Sequence, residues 1–236
     1  MVQHKNSKRL YIILWLLCIG GSWAALPYMK LLGLTPPEAP LSQLFIPITL
    51  QAAIMFGVAL WLSSIMVPST DLKPFQAKDL MKTAIFPGLI WGVALGLVVV
   101  LLNGVIYKDS LLLGRSPPRW AGFLSAFYGA INEEVQLRLF FFTLVYFLFA
   151  KIFRFNEAKR TPFLWITNAI VALAFGLGHL PAALKLGAGS SYEVSRILLL
   201  NAIPGLAFGW LYWSRSLWAA MVAHFVADLV MHVVFI

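Results

Sequence analysis

Long apolar runs alternate with short polar segments along the whole chain. A transmembrane helix needs about 20 consecutive, predominantly apolar residues, and each of these runs is close to that length. The pattern predicts an all-α, polytopic transmembrane helical bundle with seven spans, and it leaves room for an eighth span in residues 68–82 or 108–119. The seven predicted spans cover residues 10–27, 44–67, 83–107, 121–150, 162–178, 194–213 and 216–236.

The composition agrees with a protein that lies in the bilayer. Of the 236 residues 61% are hydrophobic and only 11% are charged, whereas soluble domains carry about 25% charged residues. The net charge is +9, but the basic residues stand between the apolar runs, and no basic cluster with interleaved aromatic residues lies outside a membrane flank. We therefore expect the lipid bilayer as a partner and no nucleic acid, while the oligomeric state stays open.

Residues 1–236 show no internal repeat and no soluble region, so we expect a single integral membrane domain. The basic start of the chain, with Lys5, Lys8 and Arg9, precedes the first apolar run and also suits a signal peptide. A retained first helix is the favoured interpretation, because that run is long enough to span. Lys and Arg are more frequent in the segments on the N-terminal side of the membrane, which predicts a multi-pass cell-membrane protein with a cytoplasmic N-terminus.

Three charged residues interrupt the fourth apolar run: Glu133, Glu134 and Arg138. Unpaired at the centre of a bilayer, they would together cost about 8–10 kcal/mol. Glu134 and Arg138 are four residues apart, on one face of a helix, and can form a charge-assisted pair. Glu133 lies about 100° around the helix, and its own turn provides no such partner, so this carboxylate needs another explanation.

Further ionisable residues fall in the last spans. His179 ends the fifth run, and the last run carries His224, Asp228 and His232 at a spacing of four residues, on one helix face. Either histidine could be structural, and Asp228 could simply bind a histidine ring. His232 lies close to the end of its run and is predicted to be structural.

Taken together, Glu133, His179, His224 and Asp228 come from three helices and suit a convergent site. Ionisable residues within a membrane usually face the bundle interior or a water-filled cavity. A carboxylate with two histidines can activate water and stabilise an oxyanion. The same residues are also competent ligands for zinc. The residues alone leave both chemistries open.

Three short motifs carry a resemblance to a known family. In chain order they are Glu133-Glu134-x-x-x-Arg138, Phe175-x-x-x-His179 and His224-x-x-x-Asp228. They resemble the three motifs of the CPBP family, the CAAX prenyl proteases and bacteriocin-processing enzymes that are also called Abi proteins. Residues 204–210 and 216–220 resemble the Gly-rich stretch that this family has before its third motif. The resemblance extends over residues 116–232, which would form the catalytic core.

The resemblance implies an all-helical intramembrane endopeptidase of the metalloprotease type. It implies that Glu133 and His179 activate the hydrolytic water and that His224 and position 228 stabilise the oxyanion. Supporting roles would fall to Glu134 and Arg138, which hold the helix in register. A divalent metal such as Zn²⁺, bound by Glu133, His179 and His224, and a metal-free mechanism that depends on the glutamate are both compatible with the family.

Position 228 holds Asp where the family accepts Asn or Asp. An anion beside a developing oxyanion is unfavourable, unless it is protonated or serves to hold His224 as a charged donor. The direct role of Asp228 at the oxyanion therefore stays open.

The expected substrate is a peptide or a membrane-associated protein, with prenylated CAAX-type proteins as one option. Two alternatives come from other functional classes. One is a non-catalytic bacteriocin-immunity protein that works by binding, and the other is a proton-coupled transporter in which Glu133 and the histidines form a relay. A transporter should show inverted repeats and paired broken helices, and the concentration of ionisable residues in the C-terminal spans argues against it.

Overall fold

The computed structural model describes residues 2–76, 79–154 and 160–235. It is 82% helical, and the described residues contain no β-strand. Seven helical spans are long and apolar enough to cross a membrane, which confirms the predicted fold class. The α-helices are α1 (Val2–Leu31), α2 (Leu41–Met66), α3 (Phe86–Val105), α4 (Arg119–Phe127), α5 (Thr143–Phe153), α6 (Arg160–Lys185), α7 (Ser191–Ser214) and α8 (Leu217–Leu229).

The fourth span is one continuous helix, Arg119–Phe153, but its middle is not α-helical. Between α4 and α5 lie two π-helical segments, Tyr128–Glu133 and Val135–Phe142. π-helical segments are rare and occur frequently at functional sites. Here Glu133 ends the first segment, Arg138 lies in the second, and Glu134 is the single residue between them. Shorter π-helical segments also precede α3 and follow α8.

The fifth span is longer than the predicted run of 162–178, because α6 continues past His179 to Lys185 with Pro181 inside it. A proline in a helix removes one backbone hydrogen bond, and transmembrane helices tolerate this because their surroundings satisfy the freed group. The helix ends shortly before Gly187, whose φ of +85° is the left-handed conformation that commonly ends helices.

In the described residues of the two segments considered for an eighth span, 68–76 with 79–82 and 108–119, no further span is found. The loop after α2 is instead held to the neighbouring helices. Tyr146 donates a hydrogen bond of 2.9 Å to Asp71, and Arg160 forms an ion pair with the same carboxylate. The carbonyl of Pro74 accepts a bond of 2.8 Å from the amide of Leu217 at the start of α8. These contacts fix the ends of α5, α6 and α8 on one side of the bundle.

α8 carries two of the predicted site residues, and it packs closely against α3. Three glycines on α3, four residues apart, face three valines on the last span. A Cβ atom added to any of the glycines would come within 2.6 Å of a valine side chain, so only glycine permits this close approach. The facing residues are Gly88, Gly92 and Gly96 on α3, Val222 and Val226 on α8, and Val230 at the start of the π-helical segment after α8.

The remaining helices enclose the fourth span. α6 and α7 pack along each other, α1 packs against α2, and α1 also contacts α4 and the first π-helical segment. α1 buries Leu14, Cys18 and Ser22. Which side of the membrane holds the N-terminus, and the division into one domain with a catalytic core at 116–232, stay predictions.

Candidate active site

The predicted pair of Glu134 and Arg138 lies in the interior of the bundle, where both side chains are 0% exposed. Glu134 Oε1 is 3.2 Å from Arg138 Nη1. Arg138 Nη2 also donates a hydrogen bond of 3.0 Å to the carbonyl of Gly205 on α7. The guanidinium carbon is 5.3 Å from the ring centre of Phe175 and 5.6 Å from that of Phe208, distances at which cation–π attraction operates. The pair thus joins the fourth span to α6 and α7.

Glu134 also orients His224. The same oxygen, Oε1, lies 2.8 Å from His224 Nδ1. The imidazole stacks on the Phe208 ring at a centroid distance of 4.6 Å and an interplanar angle of 19°. The carboxylate of Glu134 binds one ring nitrogen, and the Phe208 ring packs against one face of the imidazole. Together these two contacts fix the orientation of the His224 ring. In that orientation Nε2 points toward Glu133 and Asp228.

The neighbouring carboxylate, Glu133, is partly exposed and not enclosed in the core; the accessible space beside Glu133, His179 and His224 is called the cleft below. Its side chain is 19% exposed, whereas that of Glu134 is 0% exposed. Glu133 Oε2 is 3.6 Å from His224 Nε2, and Oε1 is 3.9 Å from His179 Nε2. The carboxylate that had no partner within its own turn therefore faces imidazoles from two other helices.

His179 forms the outer edge of this cleft, with 39% of its side chain exposed. Its Nδ1 is 2.9 Å from the carbonyl oxygen of Phe175, one turn earlier in α6. A carbonyl can only accept, so Nδ1 carries the proton, and in the neutral ring Nε2 is left as an acceptor. His179 consequently presents an acceptor nitrogen beside Glu133.

Asp228 lies one turn beyond His224 on α8 and is largely buried. Its Oδ1 is 3.8 Å from His224 Nε2. Gly129, in the first π-helical segment, makes room for this arrangement. A Cβ atom there would overlap Asp228 Oδ2 and would lie 3.0 Å from His224 Nε2. Sequence reasoning did not single out Gly129, because the requirement appears only when the two helices are seen together.

His232 is not part of the cluster, although it continues the face of His224 and Asp228. Its Nδ1 is 3.4 Å from the hydroxyl of Tyr28 on α1, and the two rings meet edge to face at 5.6 Å. The structural role of His232 stays a prediction, and this contact with Tyr28 is the one that such a role would use.

Asn132, which precedes Glu133, was given no role from the sequence. Its side chain is 0% exposed, and its Nδ2 donates to the carbonyl of Cys18 at 2.7 Å and to Ser22 Oγ at 2.8 Å. Both acceptors are on α1. In the sequence, Asn132 is an amide residue beside two carboxylates in an apolar run. This position does not indicate which helix its side chain contacts.

The cluster can do acid–base chemistry on a small polar group in the cleft. A general base must lie within hydrogen-bond reach of the proton it removes, and Glu133 and His179 frame a space in which a water can contact both. As a ligand set for a metal, the residues are not assembled in this conformation. Among the residues that the structure describes, no three His, Cys, Asp or Glu side chains are grouped so that they could hold an ion. Zinc binding by Glu133, His179 and His224 stays a prediction.

Comparison with known proteins identifies a family for this part of the chain. Residues 115–230 match the family model described as Type II CAAX prenyl endopeptidase Rce1-like. The match begins just before α4 and ends directly after α8, so it includes every residue of the cluster and leaves α1, α2 and α3 outside. No curated protein and no solved structure matches the chain.

Proposed function

We propose that this chain, a member of the CPBP family through the Rce1-like domain at residues 115–230, hydrolyses a peptide bond in a membrane-associated protein or peptide. A CAAX-type intramembrane endopeptidase is the activity that the family supports. The roles of the individual residues below are our proposal, and none of its steps needs a metal.

The observation that carries the proposal is the position of Glu133 between His179 and His224. Its carboxylate is at the edge of a cleft, 3.9 Å and 3.6 Å from the two Nε2 atoms. We infer that a water between Glu133 and His179 loses a proton to Glu133 as its oxygen attacks the carbonyl carbon of the substrate. Glu133 then gives that proton to the amine nitrogen as the carbon–nitrogen bond breaks.

His224 is the proposed donor to the oxyanion. Its Nδ1 is held by Glu134 at 2.8 Å, so that Nε2 can present a second N–H to the cleft. A preoriented donor in a site of low dielectric stabilises a developing negative charge more strongly than the same donor in water. Asp228, with Oδ1 3.8 Å from Nε2, is placed to hold the imidazole as a donor.

Glu134 and Arg138 are the proposed supporting residues. Arg138 balances the charge of Glu134 in the protein interior, and Glu134 uses the same oxygen to orient His224. The pair therefore acts on the reaction through His224, and its removal should misplace a catalytic group as well as destabilise the fold.

The substrate class follows from the family and from the position of the cleft. The cluster lies within helices that are long and apolar enough to span a membrane, and the side chain of His179 at its edge is 39% exposed. A substrate that is itself anchored in the bilayer can reach such an exposed edge by lateral diffusion. Prenylated CAAX-type peptides are the first substrates to test, followed by membrane-anchored peptides without a prenyl group.

The test uses the purified protein in proteoliposomes and fluorogenic peptides with and without a prenyl group. Glu133→Gln keeps the shape of the side chain but removes proton acceptance, so turnover should fall by at least about 10²-fold. Glu38→Gln makes the same chemical change at an exposed site in the loop before α2 and should cleave as wild type does. Cleavage by Glu133→Gln at the wild-type rate would refute the hydrolytic role and favour a protein that works by binding.

A further inference from the structure

α1 lies outside the family match, yet it contacts the segment that ends in Glu133. The contact is a set of three buried hydrogen bonds. Asn132 Nδ2 donates to the carbonyl of Cys18 and to Ser22 Oγ, and Ser22 Oγ in turn donates to the Cys18 carbonyl at 2.9 Å. Because all three groups are shielded from water, breaking this set leaves polar atoms without partners, which is costly in the interior.

The neighbouring residues show why this contact matters for the reaction. Asn132, Glu133 and Glu134 are consecutive, and each points to a different partner. Glu134 is fixed on one side by Arg138, and Asn132 is fixed on the other side by α1. Glu133 stands between them, and its distances to the two imidazoles are 3.6 Å, to His224 Nε2, and 3.9 Å, to His179 Nε2. Its own interactions are therefore too long to hold it, and its position depends on its two neighbours.

We propose that Asn132 is a positioning residue for the general base: its hydrogen bonds to Cys18 and Ser22 set the rotation of the π-helical segment Tyr128–Glu133 and so direct Glu133 toward His179. The inference rests on the proposed function, because it concerns the geometry of that base. It assigns to α1 a part in catalysis although α1 contributes no group that touches the substrate.

Two adjacent glycines on α1 allow a test that leaves every polar group in place. A Cβ atom on Gly21 would overlap Asn132 Oδ1 and lie 3.2 Å from Asn132 Cγ, whereas it would keep an ordinary distance of 3.6 Å from the carbonyl of Phe127. A Cβ atom on Gly20 would have nothing within 4 Å. Gly21→Ala therefore displaces the Asn132 amide, and Gly20→Ala is the matched control with the same change in helix propensity.

The experiment measures kcat and KM for full-length protein in proteoliposomes. Gly21→Ala should lower kcat by about 10–100-fold with little change in KM, because a misplacement of about 1 Å can cost about 10² in rate. Gly20→Ala should match wild type. The double variant Gly21→Ala/Asn132→Ala should be no slower than Gly21→Ala alone, since both changes act through the same amide. Full additivity of the two changes, or equal kcat for Gly21→Ala and Gly20→Ala, would overturn the inference.

A second measurement does not depend on activity. Backbone hydrogen exchange in detergent micelles should be faster for residues 128–133 in Gly21→Ala than in Gly20→Ala, while α6 and α7 stay protected. Unchanged exchange in 128–133 contradicts the inference even when no substrate is found. If wild type cleaves no peptide while the exchange difference is present, the proposed function fails and the coupling of α1 to this segment stands.

Discussion

Replacing Arg138 tests whether the buried pair holds the centre of the bundle. Arg138→Ala removes the only cation next to Glu134 that the described residues provide besides a protonated His224. It also removes the hydrogen bond to the Gly205 carbonyl and the contacts with two aromatic rings. Glu134 itself, which is 0% exposed, remains in the interior with its charge.

The expected loss follows from that burial. Breaking a buried ion pair by removing one partner typically costs about 3–5 kcal/mol, because the remaining charge is uncompensated. The lost cation–π contacts would add to this, at about 0.5–2 kcal/mol each, but such terms overlap and do not sum. We expect the free energy of unfolding of Arg138→Ala to be about 3–5 kcal/mol lower than that of wild type. Arg138→Lys keeps the charge without the planar stack and should lose less.

The assay is reversible unfolding in mixed micelles, followed by the fluorescence of the nine tryptophans, with wild type and Arg138→Ala side by side. The double variant Glu134→Gln/Arg138→Met provides the control. It removes both charges and keeps an acceptor oxygen for His224, so it should recover at least about 2 kcal/mol of the loss, as replacing both partners of a buried pair is often neutral. An Arg138→Ala protein as stable as wild type, or a double variant no better than the single one, would refute the argument from burial.

Two further predictions concern the environment of His224. Asp228→Asn should keep or gain activity, because Asn offers an N–H donor without a negative charge; a variant that is inactive until zinc is added, measured with and without a chelator, would instead favour a metal that depends on this carboxylate. Gly129→Ala should lower kcat by at least about 10-fold, because its Cβ would overlap Asp228 and crowd His224 Nε2. Gly104→Ala, where a Cβ has nothing within 4 Å, is the control, and equal rates for the two alanine variants would count against the proposed crowding.

The spans were predictable because hydrophobicity and length decide membrane insertion residue by residue. The pairing of Glu134 with Arg138 was predictable for a similar reason, since a spacing of four residues brings side chains together within one helix. The meeting of Glu133, His179 and His224 was expected because ionisable residues within a membrane usually face the bundle interior, and the family resemblance supported it. The contacts themselves could not be predicted, because spacing within separate runs does not say which faces of different helices point at each other.

Other features could not be read from local patterns. The sequence predicted that the fifth span ends at residue 178, but a helix surrounded by protein and lipid loses less by continuing than by exposing its backbone. The π-helical segment Tyr128–Glu133 contacts α1 and α8, and such contacts between separate helices leave no local pattern in the sequence. Gly21, Gly88 and Gly129 matter through the atoms they admit from other helices, so their roles appear only in three dimensions.

The site joins three carboxylates to one imidazole, and this arrangement constrains the chemistry. His224 faces Glu134 at Nδ1 and both Glu133 and Asp228 at Nε2. Arg138 forms its ion pair with Glu134. A tetrahedral intermediate brings one more negative charge next to Nε2, where two carboxylates already repel it. Hydrolysis at this site therefore becomes easier when one of those two carboxylates carries no charge. Glu133 loses its negative charge when it accepts the proton of the attacking water. Formation of the oxyanion is therefore coupled to neutralisation of the nearest carboxylate.

Asp228 loses its negative charge only when it is protonated or replaced by Asn. This is the physical reason to expect that Asn at position 228 supports catalysis.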